Sequence, residues 1–136
     1  MKPDKVVLDT NIWVSYFLKG RSAELVRLVL DHNFLIFSSP ILVAELTDVL
    51  NRAKIVKYLT LPIEDYLNMH LDLVHLIHTT PLYSEGPDPK DNFLFDLAIQ
   101  TDSTLIVSGD KKLLEFTDLS PVRIVALSEF KAIFNS

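Results

Sequence analysis

The chain of 136 residues contains no cysteine and only three glycines, Gly20, Gly86 and Gly109. The first absence excludes disulfides, thiolate zinc sites and a cysteine nucleophile, and is compatible with a reducing compartment. The second argues against the glycine-rich loops that cradle dinucleotide or ATP phosphates. There is no G-x-S-x-G elbow of a serine hydrolase. No apolar run approaches the ~20 residues of a membrane-spanning helix. Residues 1–5 lead straight into a strand-like segment rather than a signal peptide. A soluble, cytoplasmic protein with no membrane partner is the expectation. Basic charge is also scarce, with 13 Lys and Arg against 18 Asp and Glu. That deficit is local: residues 1–60 carry 8 basic against 6 acidic side chains, and residues 61–118 carry 3 against 11. A protein that coats a duplex shows a basic footprint. Any nucleic-acid contact here must therefore be limited in extent or assisted by cations.

What is present is a core. The 49% hydrophobic content is spread along the whole length, enough for a single domain over residues 1–136, with no repeat or linker to divide it. Apolar runs and punctuation predict strands at 5–8, 34–37, 77–79, 104–107 and 122–125. Helices are expected at 12–18, at 22 onward with Leu25, Leu28 and Val29 in helical spacing, at 40–53 behind Ser39 and Pro40, at 63–76, at 88–101, at 111–115, and after Ser128. Strands that alternate with helices argue an α/β fold with a parallel sheet covered on both faces. Ligands of such sheets bind beyond the carboxyl ends of the strands.

Two acids fall where that rule directs attention, and two more on helices join them as candidates. Asp9 ends the first strand in "VVLDTNIWVS", and Asp110 follows the strand "TLIV" in "SGD". Glu45 shares one side of its helix with Ile41, Leu42 and Val49, so its carboxylate faces apolar neighbours and needs a partner. Asp91 opens the helix "DNFLFDLAIQ" after a Pro-rich loop. Three of them have a plain structural reading: Asp9 and Asp110 as helix caps, and Asp91 as a first-turn acid behind Asp88 as cap; Glu45, in the second turn of an apolar face, is harder to dismiss. Together they say more. Like charges ~4 Å apart repel by roughly 4 kcal/mol at an effective dielectric near 20, so the cluster needs protonation, basic partners or a cation. The basic residues nearest in sequence, Lys90, Lys111 and Lys112, are too few for four acids. Carboxylates without Cys or His select hard ions, Mg²⁺ or Mn²⁺, and such ions serve phosphodiester hydrolysis.

The segments "VVLDTNIWVS", "SSPILVAELTDVL" and "DPKDNFLFDLAIQTDSTLIVSGD" resemble the successive acidic motifs of the PIN domain, the metal-dependent ribonuclease fold of VapC-like toxins. The resemblance spans nearly the whole chain. It implies a three-layer α/β/α fold around a central parallel sheet of about five strands, and endonucleolytic cleavage of RNA. Carried onto this sequence, it makes Asp9, Glu45, Asp91 and Asp110 the catalytic and metal-holding residues. Thr10, Asn11 and Ser108 become supporting hydrogen-bonding groups; Asp96, five residues beyond Asp91 and rotated away from it, reads from its position as solvated surface or as a supporting group. Spacing to Asp110 favours Asp91 as the third acid, with Asp88 and Asp96 as alternatives. It further implies a type II toxin, a cognate antitoxin protein as partner, and a homodimer.

Remaining features carry structural readings. Trp13, Tyr16 and Phe17 read as core, with Trp13 near enough to Asp9 to reach a pocket rim. His70, His75 and His78 read as surface or satisfied helix histidines rather than zinc ligands. Arg52 and Lys54, in the basic N-terminal part, are the candidate RNA contacts. Two rival functions remain. One is a PIN-like scaffold that binds RNA or protein without cutting. The other is a Mg²⁺-dependent receiver or phosphohydrolase domain, whose phosphohydrolase form requires a D-x-D pair that Asp9-Thr10-Asn11 does not supply.

Overall fold

Val6, Val7 and Leu8 are wholly buried because their strand is covered on both faces, as continuous apolar runs in parallel sheets are. This strand, β1 (Lys5–Leu8), is the middle of five in the computed structural model, which describes residues 4–116 and 121–134. Its partners are β2 (Leu35–Ser38) and β4 (Leu105–Val107), with Val7 opposite Phe37 and Ile106. The edges are β3 (Val74–Leu76) and β5 (Arg123–Val125), giving the all-parallel order β3-β2-β1-β4-β5.

Chain order runs outward from β1 to β3, then returns to the other side of β1 for β4 and β5. The strand order thus reverses between β1 and β4. In an open parallel sheet that switch point leaves a crevice at the carboxyl ends.

Helices α1 (Thr10–Leu18), α3 (Pro40–Leu50) and α5 (Ile63–Leu73) pack against one another, and α6 (Asn92–Gln100) lies on β1, β2 and β4. The rest are α2 (Ser22–His32), α4 (Ala53–Val56), α7 (Lys111–Leu114) and α8 (Leu127–Phe134). The result is the three-layer α/β/α fold that the sequence predicts. Its core includes Trp13, Leu42, Leu46, Leu50, Phe95 and Phe130, all fully buried, each contributing about 1.5–3 kcal/mol. Among the described residues no helix is long and apolar enough to cross a membrane.

Several boundaries differ from the sequence reading: α1 begins at Thr10 rather than residue 12, α4 is an additional helix, and the helix expected from residue 88 begins at Asn92 after a 3-10 turn over Pro89–Asp91. Helix α3 stops at Leu50 rather than near residue 53: Arg52 turns extended and its amide donates to the Val49 carbonyl (3.1 Å), while the Asn51 amide and side chain both donate to the Thr47 carbonyl (3.2 and 2.8 Å). Strand β3 begins at Val74, three residues early, since α5 runs directly into it. Ile77 still donates its N–H to the Ser38 carbonyl. Helix α8 starts at Leu127, so Ser128 lies inside its first turn and is not its cap.

Candidate metal centre

The exits of β1 and β4 are tied together by one hydrogen-bond chain. The Asp9 amide donates to the Val107 carbonyl (2.8 Å), which brings the Asp9 side chain beside the residues after β4. Ser108, fully buried, donates its hydroxyl to Asp9 Oδ2 (2.8 Å) and accepts from the Asp110 amide (3.0 Å). Asp9 Oδ1 accepts from the Thr10 amide (2.7 Å). An ordinary Asp cap takes an amide two or three residues on; Asp9 instead satisfies the adjacent one and leans toward β4. Asp110 does cap α7, accepting the Lys112 amide at Oδ1 (2.9 Å).

Two further carboxylates enter from helices. Glu45, half-buried on α3, is flanked by buried Leu42 and Val49, while Ile41 is exposed to solvent. The buried Thr10 hydroxyl lies near the Glu45 carboxylate and favours its ionised form, yet it has no hydrogen bond of standard geometry. Asp91 occupies the cap position of α6 with a side chain that caps nothing. Asp88, its neighbour, is committed to the 3-10 turn Pro89–Asp91, where its Oδ1 accepts the Lys90 amide (3.0 Å).

The acids act on one another. Burial and then the charges of Asp9, Asp88, Asp110 and Glu45 push the Asp91 carboxyl up to about 6. Glu45 is raised by burial and by Asp9. Asp9 is raised chiefly by burial, against the bonds from Ser108 and Thr10, with Asp110 adding to the rise. Asp9, Glu45, Asp91 and Asp110 therefore share one field. None of the ion pairs among the described residues neutralises it: these join Arg52 to Asp48, Arg123 to Glu129 and Lys131 to Glu24.

Such a donor set suits a hard divalent cation. Among the described residues, no three acidic or imidazole side chains already close round a common point. Mg²⁺ does not require that. It keeps several waters and takes only one or two carboxylates together with phosphate oxygens, so an open arrangement of repelling acids is consistent with it.

Other residues singled out in the sequence lie elsewhere. Asp96 is buried rather than solvated, and its Oδ1 accepts the amides of Leu82 (3.1 Å) and Tyr83 (2.8 Å) and the Gln100 side chain (3.3 Å). Asn11 is exposed. Trp13 is fully buried against His70 and Phe17, so it forms core and no rim. His70 is buried with Nε2 2.8 Å from Ser38 Oγ, and burial holds its pKa down to about 4. Lys54 is exposed, as is Arg52, whose charge reaches Glu45. The sequence reading overlooked Asn92, whose side-chain oxygen accepts the Gly86 amide (3.0 Å) and closes the loop carrying Asp88 and Asp91. A signal for it existed in the polar residues at 92, 96 and 100, four apart on an otherwise apolar helix.

Comparison with known proteins agrees with this fold. The model of the PIN domain family matches residues 5–112. The VapBC2 complex from Rickettsia felis, solved with a DNA fragment from its promoter, contains a chain of the same fold. That chain is 18% identical, with a TM-score of 0.64 and 90% of this chain and 98% of that chain covered. PAE2754 from Pyrobaculum aerophilum is 14% identical at a TM-score of 0.58, covering 97% and 90%. A domain of a functionally unknown protein from Methanocaldococcus jannaschii is 15% identical at 0.54, covering 91% of each. No curated protein sequence matches.

Proposed function

The chain belongs to the PIN domain family, and on that premise we propose that it is a Mg²⁺- or Mn²⁺-dependent endoribonuclease, the toxin of a type II toxin–antitoxin pair. The observation that carries the reading is the shared field of Asp9, Glu45, Asp91 and Asp110 at the switch point of the sheet, none of them in an ion pair among the described residues. These four residues would hold the ion. A divalent cation bound there supplies Lewis-acid activation of water and neutralises charge on the phosphodiester.

The chain's own groups do the positioning. Ser108 and the Thr10 amide fix both oxygens of Asp9, so that carboxylate keeps one orientation. Glu45 and Asp91 carry raised pKa values and give up their protons more readily when a cation offsets the repulsion. Arg52 and Lys54 are the proposed contacts to RNA phosphates. An antitoxin protein is the proposed inhibitor, and a homodimer the proposed assembly in the cytoplasm. Exposed Val26 and Leu30 on α2 offer an apolar surface for either contact. A single mass matching the monomer by light scattering across a wide concentration range would remove the dimer.

A second reading, a PIN scaffold that binds without cutting, is favoured by one observation, the lack of a closed carboxylate cage among the described residues. Cleavage of end-labelled RNA separates the two. Purified protein should cut with Mg²⁺ or Mn²⁺ and stop with EDTA. Folded Asp9→Asn and Glu45→Gln variants should each lose at least about a hundredfold in rate, equivalent to several kcal/mol of charge stabilisation. Equal cutting by the variants would identify a contaminant; no cutting over a varied RNA panel would leave the binding scaffold.

A further inference from the structure

We propose that Asp96 is a positioning residue and no metal ligand: with Asn92 and Gln100 it clamps residues 80–86 onto α6, and this clamp sets where Asp88 and Asp91 stand. The inference rests on the metal-site reading above. Between Ile77 and the 3-10 turn at Pro89 the chain has no helix or strand of its own. Its backbone polar groups must find partners elsewhere, and α6 supplies them from one stripe. Residues four apart on a helix share a face, so Asn92, Asp96 and Gln100 point the same way along α6.

Each meets a successive part of the strap. Gln100 exchanges two bonds with Thr80, accepting its amide (2.9 Å) and donating to its carbonyl (2.7 Å). Asp96 accepts the amides of Leu82 and Tyr83. Asn92 accepts the amide of Gly86. The order along the strap runs opposite to the order along α6, as in a zipper closing toward the acids. Tyr83 packs edge-on against Phe95, between the polar contacts. The last bond shuts residues 86–92 into a small loop that contains both Asp88 and Asp91.

Gly86 shows how close the strap runs. A Cβ there would overlap Asn92 Oδ1 and the Phe95 ring, so no other residue fits without opening the loop. Asp96 also has a local task that explains its burial. A buried carboxylate needs hydrogen-bond donors, and three N–H groups meet its Oδ1. That oxygen is spent on the strap. Groups that orient metal ligands typically govern affinity by 10–100-fold; Asp96 bonds Leu82, Tyr83 and Gln100 and so acts on Asp88 and Asp91 through the loop.

Asp96→Asn, Asp96→Ala and Gly86→Ala test the assignment in the full chain, read by Mn²⁺ calorimetry, RNA cleavage and amide exchange at Leu82 and Tyr83. An Asn carbonyl can still accept both backbone amides, so Asp96→Asn should keep amide protection and stay within about threefold of wild type in Mn²⁺ affinity and rate. Asp96→Ala should lose the protection and about tenfold in Mn²⁺ affinity. Gly86→Ala, which leaves Asp96 intact, should weaken Mn²⁺ binding similarly and covers the case in which Asp96→Ala fails to fold. Equal loss in Asp96→Asn and Asp96→Ala would overturn the proposal by making the charge itself a ligand. So would full Mn²⁺ affinity in a folded variant whose strap amides exchange freely. A wild type that binds Mn²⁺ but cuts no RNA would contradict only the nuclease reading. A wild type that binds no Mn²⁺ would contradict both.

Discussion

The two sides of the acid cluster are built in opposite ways. At the strand ends, Asp9 has both oxygens hydrogen-bonded and Asp110 one, joined through the buried Ser108 hydroxyl. On the helix side, Glu45 and Asp91 take no hydrogen bond of standard geometry among the described residues, and both carboxyls are raised by burial and by their neighbours. The strand side is fixed by the sheet, and the helix side is left in mutual repulsion. A fixed half gives a site its position, while a repelled half is where added positive charge gains most.

The contrast is broken most severely at Ser108. Ser108→Ala removes a charge-assisted bond to a buried carboxylate and should cost about 2 kcal/mol in chemical denaturation. It should also raise the Asp9 pKa further. Denaturation unchanged from wild type would show that the strand side is not held as described.

Asp91→Asn tests the other side and has the opposite sign. The folded-state pKa of Asp91 is raised from 3.8 to about 6. Its protonated form is therefore favoured by folding. That contribution is fully present below pH 3.8 and is lost as pH rises through about 6, so near neutrality the ionised group works against the fold. With EDTA present at pH 7, Asp91→Asn should be more stable than wild type by about 1 kcal/mol, after allowance for solvent screening. The gain should shrink at pH 5 and reverse in saturating Mn²⁺, because the variant loses a ligand. Loss of stability at pH 7 in EDTA would mean that Asp91 is not under repulsion.

The smallest effect belongs to the surface. The double variant Arg52→Ala, Lys54→Ala should weaken RNA binding and lower the slope of log affinity against log salt by about 2, one per cation. An unchanged slope would remove this patch from the RNA interface. Arg52 also eases the ionisation of Glu45, so its loss should raise that pKa slightly.

Much of this organisation could be read without coordinates. The runs around Val6 to Leu8 and Leu105 to Val107 are continuous and apolar because both faces of the sheet are covered, and such runs mark central strands directly. Asp9 and Ser108-Gly109-Asp110 follow them immediately, which places both beyond the carboxyl edge. The third acid was harder. Asp88, Asp91 and Asp96 lie within nine residues of a Pro-rich turn and a helix start, and spacing there does not reveal which oxygen is already engaged. The structure separates them by occupation: Asp88 holds the turn, Asp96 holds residues 82 and 83, and Asp91 caps nothing. The end of α3 was also hidden, because it depends on Arg52 turning extended after the Asn51 side chain adds a bond to the Thr47 carbonyl. A local side-chain bond of that kind leaves no periodic trace.

The central claim is that these carboxylates bind a divalent cation, and calorimetric titration of Mn²⁺ at pH 6 and pH 7.5, each in two buffers of different ionisation heat, tests it most directly. With Asp91 titrating near 6, Mn²⁺ binding at pH 6 should release about half a proton more than at pH 7.5. Binding should weaken strongly in Glu45→Gln. Absence of binding heat at both pH values, or binding of equal strength in Glu45→Gln with no released proton at either pH, would contradict it.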